Sequence, residues 1–226
     1  MNPRPYRSPL REAAAGITRK RIINAASALL GAPKGFEGFS LDAVARKARV
    51  TRLTVYNQFG SRRALLEEVF DDIAARGGLH RIAEAMADRD PHRALQCIIV
   101  IFCDFWSFDT PALLRLHAAG AGDAELEESV RERNERRRHL LTNLARRMAG
   151  RRTSRSNGSK ELVDVLFALT SLPFFAQLIS GGHSTEWACK VIQGLCEDSV
   201  RRGGLGERGV RALCRTRKTH SRADRA

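Results

Sequence analysis

The chain has 226 residues, enough for one or two domains, and a formal net charge of +14. That charge is concentrated at the ends, since residues 1–62 carry +9, residues 63–200 carry −2 and residues 201–226 carry +7. Five scattered cysteines without a CxxC pair argue against a disulfide framework and a zinc site, so we expect free thiols in a reducing cytoplasm, with one redox-sensing cysteine as the open alternative.

The first part of the chain predicts a basic arm followed by helices. Residues 1–16 contain three prolines and no apolar period, which favours a flexible arm. Apolar residues at helical spacing predict a helix over 17–30, and Ser40 is a good N-cap for a second helix over 41–48. Ser61 caps a long helix in the same way, and the glycine pair at 77–78 ends it.

Helical patterns also fill the rest of the chain. Asp90-Pro91 and Thr110-Pro111 each place a proline at a first helical position. Residues 131–139 are almost wholly charged and are expected to face water. No stretch alternates with period two for long enough to predict a strand. The helices predicted for this part are 79–88, 93–108, 112–119, 123–149, 160–179 and 184–201.

The polar stretch over 51–61 is the most informative part of the chain. It directly follows the helix over 41–48 and predicts a tight turn and then a short helix that is polar on one face. A short polar helix held by a turn against another helix is the helix-turn-helix arrangement that reads a major groove. Val50, Val55 and Phe59 are the expected inward anchors of this helix.

With those three residues facing inward, several polar side chains of the short helix lie on its outward side. Arg52 can bond guanine bidentately, a contact worth roughly 1–3 kcal/mol of discrimination. Thr54 can meet a base edge or a thymine methyl, and the phenol of Tyr56 is long enough to reach a phosphate. Arg62 lies in the first turn of the next helix, where free backbone N–H groups favour an anion. The open alternatives are a solvated charge for Arg52 and a core position for Tyr56.

The order Val-x-x-x-Thr-Val-Tyr-x-x-Phe-x-Ser-Arg at residues 50–62 closely resembles the DNA-binding domain of the tetracycline-repressor (TetR) family of bacterial regulators. The resemblance covers residues 17–75 and implies base contacts from positions 52–54 and phosphate contacts from Tyr56, Gln58 and Arg62. It also implies that Ser40 can touch a phosphate. The predicted DNA-binding residues are Ser40, Thr51, Arg52, Leu53, Thr54, Tyr56, Asn57, Gln58 and Arg62.

Arg49 departs from the family pattern, which usually has glycine at this turn position. If the turn is left-handed, as the family resemblance implies, a residue other than glycine costs roughly 1 kcal/mol. The departure puts the turn geometry in question more than the function.

The last two predicted helices offer a dimer surface. Helix-turn-helix proteins read two half-sites about 34–36 Å apart, so we expect a homodimer on a pseudo-palindromic operator. These helices carry more apolar face than one helix can bury alone, although burial within one subunit is the alternative. The predicted interface residues are Leu162, Val165, Leu166, Leu169, Phe175, Trp187, Val191 and Leu195.

Aromatic residues between the two regions indicate an effector pocket. Aromatic lining with one or two polar groups is typical of a ligand pocket, and it is also typical of a core. The candidate pocket residues are Phe102, Phe105, Trp106, Leu113 and His117. No acid–base dyad, nucleophile constellation or phosphate-binding glycine loop is found, so we expect neither an enzyme nor a cofactor or metal site.

The sequence therefore predicts an all-α protein with a basic arm (1–16), a three-helix helix-turn-helix head (17–63), a helical effector-binding and dimerisation body (64–203) and a basic disordered tail (204–226). We expect a cytoplasmic, sequence-specific transcriptional regulator, namely a homodimeric repressor that a small-molecule effector releases from operator DNA. No signal peptide or membrane partner is expected. The alternatives are an effector-independent DNA-binding or architectural protein and, without support from any catalytic group, a helical enzyme with a relic head.

Overall fold

The structure is a computed structural model that describes residues 9–32, 38–119, 123–149 and 157–202. Its regular elements over these ranges are helical, which confirms the all-α prediction. They are α1 (Pro9–Leu30), α2 (Leu41–Ala48), α3 (Arg52–Phe59), α4 (Arg62–Arg76), α5 (Ile82–Ala87), α6 (Pro91–Phe108), α7 (Thr110–Ala119), α8 (Ala124–Ala149), α9 (Asn157–Leu169), α10 (Leu172–Ser180) and α11 (Thr185–Arg201). A single 3-10 turn, Leu79–Arg81, precedes α5.

The chain divides into two compact units. The first comprises residues 1–77 and 109–132, and the second comprises residues 78–108 and 133–226. Helix α8 therefore contributes its first turns to the first unit and the remainder to the second. The sequence predicted a head that ends at residue 63, whereas the first unit continues through α4. The reason is that the apolar stripe of α4, from Leu65 to Ile73, is buried and packs against α1.

Helix α1 starts earlier than the sequence predicted. Residues 9–16 were expected to belong to a flexible arm, but the helix begins at Pro9. Proline fits the first helical position because its missing N–H would have no partner there, and the alanines that follow have high helix propensity. Residues 13–17 are exposed, so no apolar period marks this stretch in the sequence. Residues 1–8 of the predicted basic arm lie outside the described residues.

The turn between α2 and α3 has a left-handed residue, as expected. Arg49 has φ 52° and ψ 49°, and in the described part of the chain it is the one residue other than glycine with a positive φ. Its N–H donates to the Arg46 carbonyl at 3.2 Å, and the N–H of Val50 donates to the Ala45 carbonyl at 3.0 Å. These bonds end α2 and fix the direction in which α3 begins.

Replacing Arg49 with glycine should raise the free energy of unfolding by roughly 0.5–1 kcal/mol. A residue other than glycine in the left-handed conformation costs about 1–2 kcal/mol, and the substitution removes this cost. Glycine also gives the unfolded chain more conformational freedom, which lowers the free energy of unfolding by about 0.4–1 kcal/mol. The matched change Arg46→Gly, at a helical position of α2, should lower the same quantity by roughly 0.5–1 kcal/mol. Urea unfolding measures both variants. Equal destabilisation of the two would show that the turn at Arg49 is unstrained.

The last part of the chain contains three helices where the sequence predicted two. The predicted helix over 160–179 is interrupted at Thr170-Ser171, and α10 begins after the break. The Ser171 hydroxyl caps α10 by accepting from the N–H of Phe174, and Pro173 lies in its first turn. Because proline lacks an N–H and its ring clashes with the preceding turn, it fits a helix start and not a helix interior.

The core of the second unit is built from α6 and the three last helices, together with the later turns of α8. Its largest fully buried side chains include Leu95, Ile98, Ile99, Leu141, Leu144, Leu166 and Phe175. One prediction is wrong here. The charged middle of α8 was expected to face water, but Arg137 is only 8% exposed.

The predicted basic tail over 204–226 lies outside the described residues, as do residues 33–37 and 150–156. Within the described ranges, no single helix is both long and apolar enough to cross a membrane, and two bent helix pairs meet that criterion only when their members are combined.

Candidate nucleic-acid interface

Helix α3 is held in the first unit by its apolar side. Val55 and Phe59 are buried, as predicted, and Val50 is half-buried. Arg19 of α1 adds a further restraint, because its guanidinium lies 4.4 Å from the centre of the Phe59 ring and its Nη1 donates to the Gln58 carbonyl at 2.7 Å. No local pattern indicated this role for Arg19, since its contacts are about 40 residues away along the chain. These contacts fix which face of α3 points outward.

Both ends of α3 are closed by local hydrogen bonds. Thr51 is the N-cap, and its hydroxyl accepts from the N–H of Thr54 at 3.1 Å. The hydroxyls of Thr51 and Thr54 also lie 2.8 Å apart. At the other end, Gly60 adopts a φ of 74° and its N–H donates to the Tyr56 carbonyl at 2.7 Å. Thr51 therefore stabilises the helix itself, besides standing on the predicted DNA side.

The outward face of α3 exposes apolar and polar side chains together. Leu53 is 65% exposed and Tyr56 is 57% exposed, and Arg52 and Asn57 are also exposed. The alternative of a core position for Tyr56 is therefore wrong. Large side chains that a protein keeps in water on a rigid helix mark a contact surface when they lie together. The described residues of the first unit do not cover this face.

Arg52 and Ser40 each have a partner on α2 in the absence of DNA. The Nη1 atom of Arg52 lies 3.3 Å from Oδ2 of Asp42, and both side chains are largely exposed. An exposed ion pair of this kind contributes about 0–1 kcal/mol, so Arg52 can leave it for a base at low cost. The Ser40 hydroxyl accepts from the N–H of Ala43 at 3.1 Å, which confirms its predicted role as the cap of α2.

Arg62 lies in a different setting from the one the sequence predicted. Its guanidinium is hydrogen-bonded to two carboxylates at the start of α8, with Nη2 3.0 Å from Asp123 and Nη1 2.7 Å from Glu125. It also lies 5.5 Å from the centre of the Phe39 ring. Burial alone would lower the pKa of Arg62, but the hydrogen bonds and charges of the two carboxylates raise it above its ordinary value. A phosphate contact from Arg62 would have to compete with these carboxylates.

Two further bonds join α4 to α8 within the first unit. Arg63 Nη2 lies 2.7 Å from Glu132, and the Ser129 hydroxyl donates to the carboxylate of Glu67. Burial would raise the pKa of Asp123, but the Arg62 hydrogen bond and the Leu126 backbone N–H outweigh it and lower that pKa. The helix that follows the helix-turn-helix is therefore tied to the first turns of α8 by a line of charged and polar contacts.

A known family matches the part of the chain that contains this geometry. Residues 22–69 match the sequence model of the bacterial regulatory proteins of the tetR family. The match begins inside α1, includes the whole helix-turn-helix, and ends inside α4. Residues 22–69 therefore form a helix-turn-helix domain of the TetR type. The resemblance seen in residues 50–62 is therefore confirmed for the DNA-binding helix-turn-helix domain.

Solved structures of TetR-family regulators share the fold. A TetR-like transcriptional regulator from Rhodococcus sp. RHA1 aligns with a TM-score of 0.62 at 18% identity, over 82% of this chain and 97% of that chain. A TetR transcription regulator from Haloarcula marismortui gives 0.60 at 13% identity, over 81% and 96%. A second transcriptional regulator from Rhodococcus sp. gives 0.59 at 16% identity, over 81% and 96%. The comparison with curated proteins returns no match.

The predicted effector residues belong to different units. Phe102, Phe105 and Trp106 lie in the second unit, where the ring of Trp106 lies 4.7 Å from that of Phe105 and 6.2 Å from that of Phe102. Leu113 and His117 lie in the first unit, the former buried and the latter exposed. The three aromatic residues form one cluster, and Trp106 Nε1 donates to the Thr170 carbonyl at 3.1 Å.

The predicted interface residues separate into two groups. Leu162, Leu166 and Phe175 are buried in the core of the second unit, so the alternative of burial within one subunit holds for them. The reason is that α9 packs against α11, and α10 packs against both α6 and α11. By contrast, Trp187 is 41% exposed and Leu195 is 40% exposed on α11. Val165, Leu169 and Val191 are half-buried.

A separate groove of about 480 Å³ also lies in the second unit. It is formed by the start of α6 and the end of α11, and the sequence did not indicate it as an effector site. Its lining residues are Asp90, His92, Arg93, Leu95, Gln96, Glu197, Val200 and Arg201.

Proposed function

We propose that this protein is a homodimeric repressor of the TetR family that binds a two-fold symmetric operator through α3 and is released by a small molecule. The observation that carries the proposal is the outward face of α3. It presents Leu53 and Tyr56 to solvent while Val55 and Phe59 lock the helix from the inside. A rigid short helix with an uncovered polar and apolar face fits a major groove about 12 Å wide.

In the proposed complex, the side chains of α3 divide into two roles. Arg52, Thr54 and Asn57 read base edges, with Arg52 exchanging its exposed pair with Asp42 for a guanine. Tyr56 and Gln58 bond phosphates and set the position of the helix in the groove, as does Ser40 at the start of α2. Phosphate contacts position the protein and base contacts give specificity, so substitutions in the two groups should have different effects.

Dimerisation is proposed through a stripe on α11 that is exposed at Trp187 and Leu195 and half-buried at Val191. Trp187, Val191 and Leu195 follow one another at intervals of four residues, which places them along one side of the helix. The ring of Trp187 stacks on His183 with 3.8 Å between centroids, and Gly194 has no neighbouring atom where a side chain would project. This apolar stripe supports a second copy of the chain as its partner, with the two α3 helices then reading two half-sites.

Release is proposed to act through α8. This helix runs from the first unit into the second, and its first turns hold Arg62, Arg63 and Glu67 of α4. An effector bound in the second unit would act on α4 through this helix. A difference of a few kcal/mol in effector affinity between the two states suffices to shift the equilibrium.

Selection from a randomised duplex library tests the proposed function. The wild-type protein should enrich a two-fold symmetric motif with half-site centres about 34–36 Å apart or at a multiple of one helical turn. Arg52→Ala should enrich a motif with at least one relaxed position in each half-site, because a bidentate guanine contact is worth about 1–3 kcal/mol. A protein that enriches no motif is not a sequence-specific regulator of this kind.

A further inference from the structure

The burial of Arg137, in the middle of α8, is the least expected feature of the second unit. The side chain is 8% exposed, and its guanidinium lies 4.0 Å from the centre of the Phe167 ring. Its two bonds to side chains are long, with Nη1 3.3 Å from Thr170 Oγ1 and Nη2 3.4 Å from Asn134 Oδ1. The third donor, Nε, is buried and makes no hydrogen bond to the part of the chain that the structure describes.

The positive charge of Arg137 has no carboxylate beside it among the described residues. Burial lowers its pKa to about 10, with a further contribution from the charge of Arg138. The segments over 120–122 and 150–159 contain no Asp or Glu that could supply the missing charge. A buried charge is costly unless it is paired and fully hydrogen-bonded. Among the described residues, the guanidinium of Arg137 therefore has an uncompensated charge and an unused donor that suit an anion.

The neighbouring arginine shows what an ordinary position on this helix looks like. Arg138 also lies over the Phe167 ring, at 4.3 Å, but it is half-exposed and is paired with the carboxylate of Asp164. Two adjacent arginines thus share one aromatic ring, and within the described ranges only the half-exposed Arg138 has a counterion. This contrast separates Arg137 from a general excess of basic residues on α8.

The side chains around Arg137 indicate which chemical groups a bound ligand would carry besides its anion. Thr170 accepts from Arg137 through its hydroxyl and from Trp106 through its carbonyl, so the two side chains meet at the break between α9 and α10. Trp106 is in turn packed against Phe102 and Phe105. An arginine edge formed by Nε and Nη2 suits a carboxylate, which it can bond bidentately. Aromatic walls suit an aromatic or aliphatic body.

We propose that Arg137 binds the carboxylate of an acidic effector whose apolar body packs against the cluster of Phe102, Phe105 and Trp106. This inference rests on the proposed function, in that a small molecule is taken to control the regulator. It names the chemical class of that molecule, an apolar monocarboxylate, and the residue that recognises its charge.

Thermal unfolding of the full-length protein tests the proposal. The probes are hexanoate, phenylacetate and indole-3-acetate, each compared with its uncharged amide. At least one acid should raise the unfolding midpoint of the wild type by about 2–4 °C or more, and its amide should raise it by less. Arg137→Met should abolish this difference. The matched variant Arg138→Met should keep it, because Arg138 already has Asp164 as its partner.

The midpoint of Arg137→Met without ligand gives a second readout. An apolar side chain of similar length in place of an uncompensated buried charge should leave the midpoint unchanged or raise it by a few degrees. A fall of more than about 5 °C would show that the guanidinium supports the fold and would overturn the proposal. Failure of every acid to stabilise the wild type, or equal stabilisation of wild type and Arg137→Met, would overturn it as well.

Glu207 and Asp224 of the C-terminal segment are the alternative source of a counterion for Arg137, and the same assay tests them. Glu207→Gln combined with Asp224→Asn should not change the midpoint. If this change destabilises the wild type but not Arg137→Met, the counterion belongs to the chain itself and no effector anion is required. None of these measurements uses DNA. If no acid stabilises the protein, the result of the library selection is unaffected. If the selection enriches no motif, the carboxylate site is retained but has no regulatory role.

Discussion

Val191→Glu combined with Leu195→Glu should convert the protein into a monomer and lower its affinity for the selected duplex by at least about 100-fold. Loss of a linked second binding module typically removes a factor of 10² to 10⁴. The two carboxylates would stand on the stripe of α11, where two copies would bring them close together. Light scattering gives the mass in solution, and fluorescence anisotropy with the labelled duplex gives the affinity.

Leu114→Glu is the matched control, since Leu114 is also an exposed leucine but lies on α7. It should remain dimeric and retain its affinity. Circular dichroism verifies that each variant is folded. If the double variant unfolds, Leu195→Glu alone is used instead, because Leu195 is more exposed than Val191. A folded variant that remains dimeric would place the interface elsewhere. Leu166 cannot serve here, because it is fully buried in the core of its own unit.

Tyr56→Glu should lower the affinity for the selected duplex by about 100-fold or more while leaving the unfolding midpoint nearly unchanged. The side chain is 57% exposed, so its loss costs the fold little. On DNA, the change removes a phosphate donor and brings a negative charge toward the phosphates, and like charges placed together cost several kcal/mol. Anisotropy titrations at several salt concentrations measure the effect.

Ala75→Glu provides the control for the charge itself. It adds the same carboxylate to the same unit at an exposed position near the far end of α4, about 20 Å along that helix from its start. Its effect on affinity should be within a factor of a few. Tyr56→Phe should fall between the wild type and Tyr56→Glu, since it loses the hydroxyl alone. Equal affinities for Tyr56→Glu and the wild type would remove α3 from the DNA contact.

The parts of the structure that the sequence predicted are those that local chemistry determines. Ser40 and Ser61 cap helices with their own side chains, and each cap depends on a residue three positions ahead. The inward side of α3 follows from the spacing of Val55 and Phe59. The family pattern around Arg49 gave the left-handed turn. Such features are set within about ten residues, so they can be read from one sequence.

The features that the sequence did not predict depend on contacts between distant residues. Arg62 binds Asp123 and Glu125, which lie 61 and 63 residues further along the chain, so no local pattern indicated that its guanidinium was already engaged. The last helices are apolar on more than one side, and only their packing decides which side becomes core. This is why Leu166 and Phe175 were assigned to a dimer surface although they are buried.

Arg137 was misplaced for a related reason. Seven of the nine residues over 131–139 are charged, and such a run normally lies in water. One position of this run, Arg137, lies on the buried side of α8, where it contacts Phe167 of α9 and Thr170 in the break after α9. Charge composition predicts the average exposure of a segment and not that of a single residue. The exception is the residue on which the effector proposal depends.

Methylation protection on the selected duplex tests most directly whether α3 reads the major groove. Dimethyl sulfate attacks guanine N7, which lies in the major groove, and adenine N3, which lies in the minor groove. The wild-type protein should protect guanine N7 in both half-sites, and Arg52→Ala should lose protection of at least one guanine in each while the rest of the pattern persists. Protection confined to adenine N3, or a pattern of guanine protection that Arg52→Ala and Tyr56→Glu leave unchanged, would contradict recognition through α3.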